Sequence, residues 1–228
     1  IFIGKWIRDK VDTVLKSLVD LKNLKDKNSS IKALAYRLYE NNGVIKRESV
    51  TEYVKNLEQN DRKILRELGV KFGRYHIFLF KLIKPDAVSL RTLLWKNYHQ
   101  KYFNFKPPKF GLNFLDDKKL NRNFMLLCGF EKFDDFFVRI DILERLFVQI
   151  INSDKKSKEI KMIPEMLNLL GCNKENFKKL LKNMDYKITE KAENIYFKYS
   201  PKKVFKKSSN KKSKKESPFG ILKDLRLN

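Results

Sequence analysis

The stretch from Ile160 to Ser200, IKMIPEMLNLLGCNKENFKKLLKNMDYKITEKAENIYFKYS, constrains the fold of this chain most. Pro164 suits the first position of a helix, where its missing N–H would be unpaired anyway, and Met166, Leu167, Leu169 and Leu170 give that helix an apolar side. Gly171 ends it. Asn173 can cap a second helix, with Phe177, Leu180, Leu181 and Met184 on one face and Lys174, Lys178 and Lys182 down the other. Tyr186 and Ile188, then Ile195, Phe197 and Tyr199, alternate with polar residues around a turn at Lys191 to Asn194, as a small hairpin does. Helix, turn, helix and hairpin is the winged-helix order. Its lysine face can lie on phosphates. The same pattern also fits a small helical domain with a solvated face.

Upstream, helical periodicity dominates. Ile7, Val11, Val14, Leu15 and Leu18 predict one long helix over residues 3–24, and Ile31, Leu34, Ala35 and Leu38 a second, stopped near Asn42-Gly43. Two short helices follow, around Val50 to Leu57 and from an Asn60 cap to Gly69. The run from Gly69 to Pro85 reads as a tight turn and a short extended piece. There Lys71 and Arg74, with Lys81 and Lys84, could meet a phosphate backbone, or be solvated charges on a structural turn. Pro85 opens a helix containing Trp95 and Tyr98, rings that could stack on bases but stand at core-like spacing. Pro107-Pro108 and Gly111 mark a connector. Beyond it, Phe124 to Phe130 and Phe136 to Ile140 suggest a hairpin, and Asp141 with Glu144 a capping box for the next helix.

The fold expected is mainly α: a helical accessory domain at 1–103, a connector at 104–123, a winged-helix-like α+β domain at 124–200, and a basic tail at 201–228. Lysines 202, 203, 206, 207, 211, 212, 214 and 215 make that tail a disordered cationic arm by composition. It closes on Phe219 to Leu225, a short apolar segment that could dock a protein partner.

Charge points to the partner class. With 51 Lys and Arg against 27 Asp and Glu, the formal net charge is +24, which implies a polyanion, nucleic acid ahead of a membrane surface or an acidic protein. A/T-rich codons would also enrich Lys, Asn, Ile and Phe, but they explain residue types better than the imbalance of charge. Candidate contacts are Lys174, Lys178, Lys179, Lys182, Lys71, Arg74 and the lysines of the arm, Lys202, Lys203, Lys206, Lys207, Lys211, Lys212, Lys214 and Lys215. Cys128 and Cys172 have no ligand-spaced neighbours and read as reduced thiols; His76 and His99 read as structural or surface residues. No apolar run approaches the roughly 18 residues of a membrane span, so a cytoplasmic protein is expected. No phosphate loop, dinucleotide loop, zinc spacing or nucleophile set occurs, and no cofactor or catalytic centre is expected in this segment.

Two long stretches, residues 47–95 and 128–188, carry a resemblance through LGVKFGRYHIFLFKLIKP, VRIDILERL and LLGCNKENFKKLLKNMDYK, in that order, with SPFGILKDL at the end. Together these resemble the C-terminal part of alphaproteobacterial superfamily-two helicases of the DExH type, similar to the RNA helicase of the mitochondrial degradosome. The resemblance implies an accessory region behind an ATP- and Mg-dependent motor. The motor's catalytic residues map onto nothing here, and the chain starts at Ile1, as a segment of a longer protein would. It also implies a strand-engaging role with RNA ahead of DNA. A stand-alone winged-helix regulator and a scaffold docking through Phe219 to Leu225 are the alternatives.

Overall fold

A computed structural model of the chain describes residues 2–24, 29–100, 104–154, 159–191 and 194–201. The Lys202–Lys215 arm and the Phe219–Leu225 segment lie outside the described residues.

The third unit follows the sequence closely. Helix α8 (Ile140–Asp154) leads to β7 (Ile160–Lys161), α9 (Pro164–Leu170), α10 (Lys174–Asn183) and the hairpin β8 (Tyr186–Lys191) and β9 (Asn194–Tyr199). Pro164 stands at the start of α9, Gly171 closes it, and the Asn173 side chain accepts from the Asn176 N–H at the start of α10. The sheet runs β7-β9-β8, all antiparallel, around Phe177, Leu180, Leu181 and Phe197.

The same strand order occurs twice more. After α1 (Phe2–Val14) and α2 (Lys16–Lys22), the first unit comprises α3 (Ser29–Glu40), β1 (Val44–Lys46), α4 (Thr51–Lys55), α5 (Gln59–Glu67), β2 (Val70–Phe72) and β3 (His76–Leu79), with sheet order β1-β3-β2. The second comprises α6 (Pro85–Tyr98), β4 (Phe114–Leu115), α7 (Arg122–Leu127), β5 (Phe130–Phe133) and β6 (Phe136–Arg139), ordered β4-β6-β5. In all three the first strand pairs with the last. Each hairpin is also entered through a residue at positive φ: Gly69 at 91°, Gly129 at 84° and Asp185 at 62°. That left-handed turn is cheap for glycine and tolerated by aspartate, whose short polar side chain can bond locally. The protein is therefore mixed α+β, and the mainly α expectation holds only in part: the 1–103 stretch carries a sheet of its own.

Local differences from the sequence reading have physical causes. The expected helix over 3–24 is interrupted at Leu15, which is buried. The fourth helix starts two residues earlier than an Asn60 cap would allow, because Glu58 and Asp61 form a reciprocal capping box. The Phe124 run is helix α7, capped by the Asn121 side chain on the Phe124 N–H, and the hairpin lies at Phe130–Arg139 instead.

Strand alternation joins the units. Ile77 and Leu79 of β3 enter the first core, while Phe78 turns the other way to meet Val44 and Ile140. Phe136 and Val138 of β6 enter the third core, and Phe137 the second. Both central strands are buried on both faces. No helix among the described residues is long and apolar enough to cross a membrane.

Candidate nucleic-acid interface

A groove of ≈ 780 Å³ separates the β2–β3 hairpin from α8. Its floor is aromatic, formed by Phe72, Phe78, Phe80 and Phe147. Six cations line it: Arg47, Lys71, Arg74, Lys84, Arg139 and Arg145. Against them stand two carboxylates, both already engaged. Asp141 takes a bidentate grip from Arg139, at 2.7 and 2.9 Å. Glu144 reaches across from α8 to the hairpin turn, where it accepts the backbone N–H groups of Arg74, Tyr75 (2.9 Å) and His76 (2.8 Å). Glu144 is thus no capping-box residue, as its spacing from Asp141 suggested. It binds a turn about 70 residues upstream, holding one wall of the groove to the other. Gly73 makes this approach possible, since a Cβ there would collide with the Glu144 carboxylate.

The hairpin is braced from the opposite side as well. Arg47 donates to the Gly73 carbonyl at 2.7 Å, and its own N–H bonds the Tyr75 carbonyl at 2.8 Å. These contacts place Lys71 and Arg74, both exposed, on the groove's rim. Lys84 lies 4.5 Å from the Phe80 ring centroid, as a cation over an aromatic face does.

Behind the hairpin sits a buried charge network. The His76 ring meets Glu131 at 3.0 Å, and Glu131 also receives Arg122 at 3.1 Å and Lys46 at 3.4 Å. Burial pushes the His76 ring toward neutrality, but its bonds to Glu131 and Glu144 outweigh that and hold its pKa above the ordinary value. Burial likewise disfavours an ionised Glu131, yet His76, Lys46 and Arg122 pull its carboxyl down to about 2. This histidine is buried rather than on the surface, and its carboxylate partners lie 55 and 68 residues away in sequence, too far for any local pattern to signal.

Of the sequence-expected contacts, Lys71 and Arg74 line the groove. Lys174, Lys178, Lys179 and Lys182 do not; they run along α10, with Lys178 held by Glu175 at 3.3 Å and Glu190 at 2.8 Å. Arg47, Arg139 and Arg145 were missed because none belongs to a cationic helix face or run: Arg47 has only Lys46 beside it, and the other two stand alone. Only folding brings them beside the hairpin. Cys128 is buried and Cys172 half-buried, and both thiols are pushed up by burial, to about 12 and about 11.

No protein-family model matches the chain, and neither a curated protein nor a solved structure matches it.

Proposed function

We propose that this chain binds the phosphate backbone of nucleic acid, RNA ahead of DNA, along the groove between the β2–β3 hairpin and α8. The observation that carries this reading is six cations against two carboxylates in one groove, an excess of about four positive charges, with Arg139 paired to Asp141 and Glu144 held by the backbone of the hairpin turn. Phosphate contacts of this kind position a strand without reading its sequence. That behaviour suits a translocating enzyme, and the resemblance to DExH-type helicases extends the proposal: this is an accessory region of an ATP-dependent helicase, with ATP and Mg used by the motor. A stand-alone winged-helix regulator is less well supported, because Lys178 on the would-be recognition helix is engaged by two glutamates. That lysine-only face also offers few bidentate donors for base edges.

The test is fluorescence anisotropy of labelled RNA and DNA across a salt series, comparing the wild type with Lys71→Glu/Arg145→Glu. Reversing two groove charges should weaken binding by at least about tenfold and flatten the salt dependence by about two contacts. Reversing Lys179 and Lys182 should cost far less. If the α10 pair matters more than the groove pair, the groove is not the interface.

A further inference from the structure

A second cleft, of ≈ 470 Å³, opens on the other side of the Gly73 turn, and Arg47 and Arg74 line both it and the groove. Its chemistry is different. The cations Lys46, Arg47 and Arg74 are here matched by the carboxylates of Glu48, Glu131 and Asp185, and the His76 ring that also lines the cleft is already engaged by Glu131, so the lining leaves little positive charge for a phosphate. It offers flat apolar surface instead, from Phe133 and Tyr199, with the polar Thr51 and Asn183 beside them. Tyr199 is 40% exposed, backed by its cross-strand neighbour Tyr186 at 5.3 Å, with the Arg74 guanidinium over the ring at 5.8 Å from its centroid, a loose contact that an incoming base would share or displace.

A neutral, planar, hydrogen-bonding group fits such a cleft, and a nucleic-acid strand supplies one at every phosphate it places in the neighbouring groove. We infer that the Tyr199 cleft receives an unstacked nucleobase of the strand whose phosphates lie in the groove. This rests on the function proposed above and narrows it to single strands. In a duplex the base faces are occupied by their neighbours, whereas a single strand can turn a base outward onto an aromatic ring. Stacking on a ring is tolerant of base identity, so the cleft adds affinity without adding sequence preference. The volume lies within the range of sites that hold one small planar ligand.

The experiment uses the full chain with three labelled ligands: a single-stranded RNA, the same strand made abasic throughout, and a blunt duplex. Tyr199→Ala should raise the Kd for the intact single strand about tenfold while changing that for duplex less than about twofold, with the salt slope unaltered. Tyr199→Phe keeps the ring and should keep the affinity. The abasic strand should bind the wild type about as weakly as the intact strand binds Tyr199→Ala, and be indifferent to that substitution. Should Tyr199→Ala fail to fold, Phe133→Ala and the abasic comparison on the wild type decide the matter alone. Equal losses for strand and duplex, or wild-type binding that ignores the missing bases, overturn the inference. Lys71→Glu/Arg145→Glu separates the two readings: it should weaken strand and duplex alike. If it does so while Tyr199→Ala is silent, only the cleft is refuted; if it leaves both unchanged, groove and cleft fall together.

Discussion

His76 concentrates the electrostatics of this chain in one ring. It is 2% exposed, it faces Glu131 at 3.0 Å and Glu144 at 3.5 Å, and Lys46 and Arg122 close the network from outside. Two opposite pH dependences follow. The ring's folded pKa lies above its ordinary 6.5, so its contribution is fully present below about 6.5 and is lost as pH rises through the raised value. Glu131 is held at about 2 against an ordinary 4.5, so its contribution is present above about 4.5 and is lost as pH falls through about 2. Both act together between those limits. His76→Gln should therefore cost the most there, about 3 kcal/mol, because it strands a buried carboxylate. The gap between variant and wild type should narrow as pH rises through the ring's folded pKa. Urea unfolding of both proteins from about pH 5 to about pH 9 checks this, and a gap that stays constant with pH would show that folding leaves the ring's pKa unshifted.

At the scale of elements, the contact that organises the groove is α8 against the β2–β3 turn. Glu144 is an acid inside a cationic groove, so charge alone predicts that Glu144→Gln tightens polyanion binding. Its role in holding the turn predicts the reverse. With fewer acceptors for three N–H groups, the hairpin loosens by about 1 kcal/mol, and affinity for a single strand should fall about fivefold. Gly73→Ala should do the same through steric collision. Anisotropy titrations decide between the two signs, and tighter binding by Glu144→Gln would refute the positioning role. This contact also marks the limit of sequence reading. The third unit was legible because its signals are local: Pro164, Gly171, Asn173 and an alternating hairpin. The β6 strand was legible as the Phe136 run and β3 only as a short extended piece within residues 69–85, because burial on both faces erases the alternation that distinguishes a strand from a helix segment, as the misreading of α7 as a strand shows. Glu144 was misread because D-x-x-E is a local pattern, whereas its partner lies about 70 residues away. The recurrence of hairpins after Gly69, Gly129 and Asp185 was hidden for a different reason: two residues separate helix from hairpin each time, but the positive-φ position is glycine in two units and aspartate in the third, and the helices before it run 9, 6 and 10 residues.

For the whole molecule, the question is whether three similar units melt as one. Their interfaces predict that they do. Val44 and Phe78 of the first unit pack with Ile140, where the third begins, and β6 gives side chains to two cores. Arg91 ties the first two units further. It is 4% exposed, and its guanidinium donates to the Asn42 carbonyl just past α3 (2.7 Å), to Leu82 before α6 (2.5 Å) and to Leu127 at the end of α7 (2.7 Å). Burial lowers its pKa to about 10, still well above neutral, so the cation persists at neutral pH, and carbonyl oxygens near two helix C-termini supply the compensating negative potential. A lysine has three donors on a point charge and cannot span this fork. Arg91→Lys should lose about 2–3 kcal/mol by leaving buried carbonyls unmet. In a Trp6→Phe background that leaves Trp95 as the one tryptophan, fluorescence, reporting the second core, and far-UV circular dichroism, reporting all three units, should trace one urea transition. In Arg91→Lys the fluorescence transition should move to lower urea, and a first unit that still unfolds with the rest would show that the Val44, Phe78 and Ile140 contact is enough to couple them. Two separate transitions with Arg91 intact would instead make each unit an independent folder, and the groove between the hairpin and α8 would then be the first structure lost.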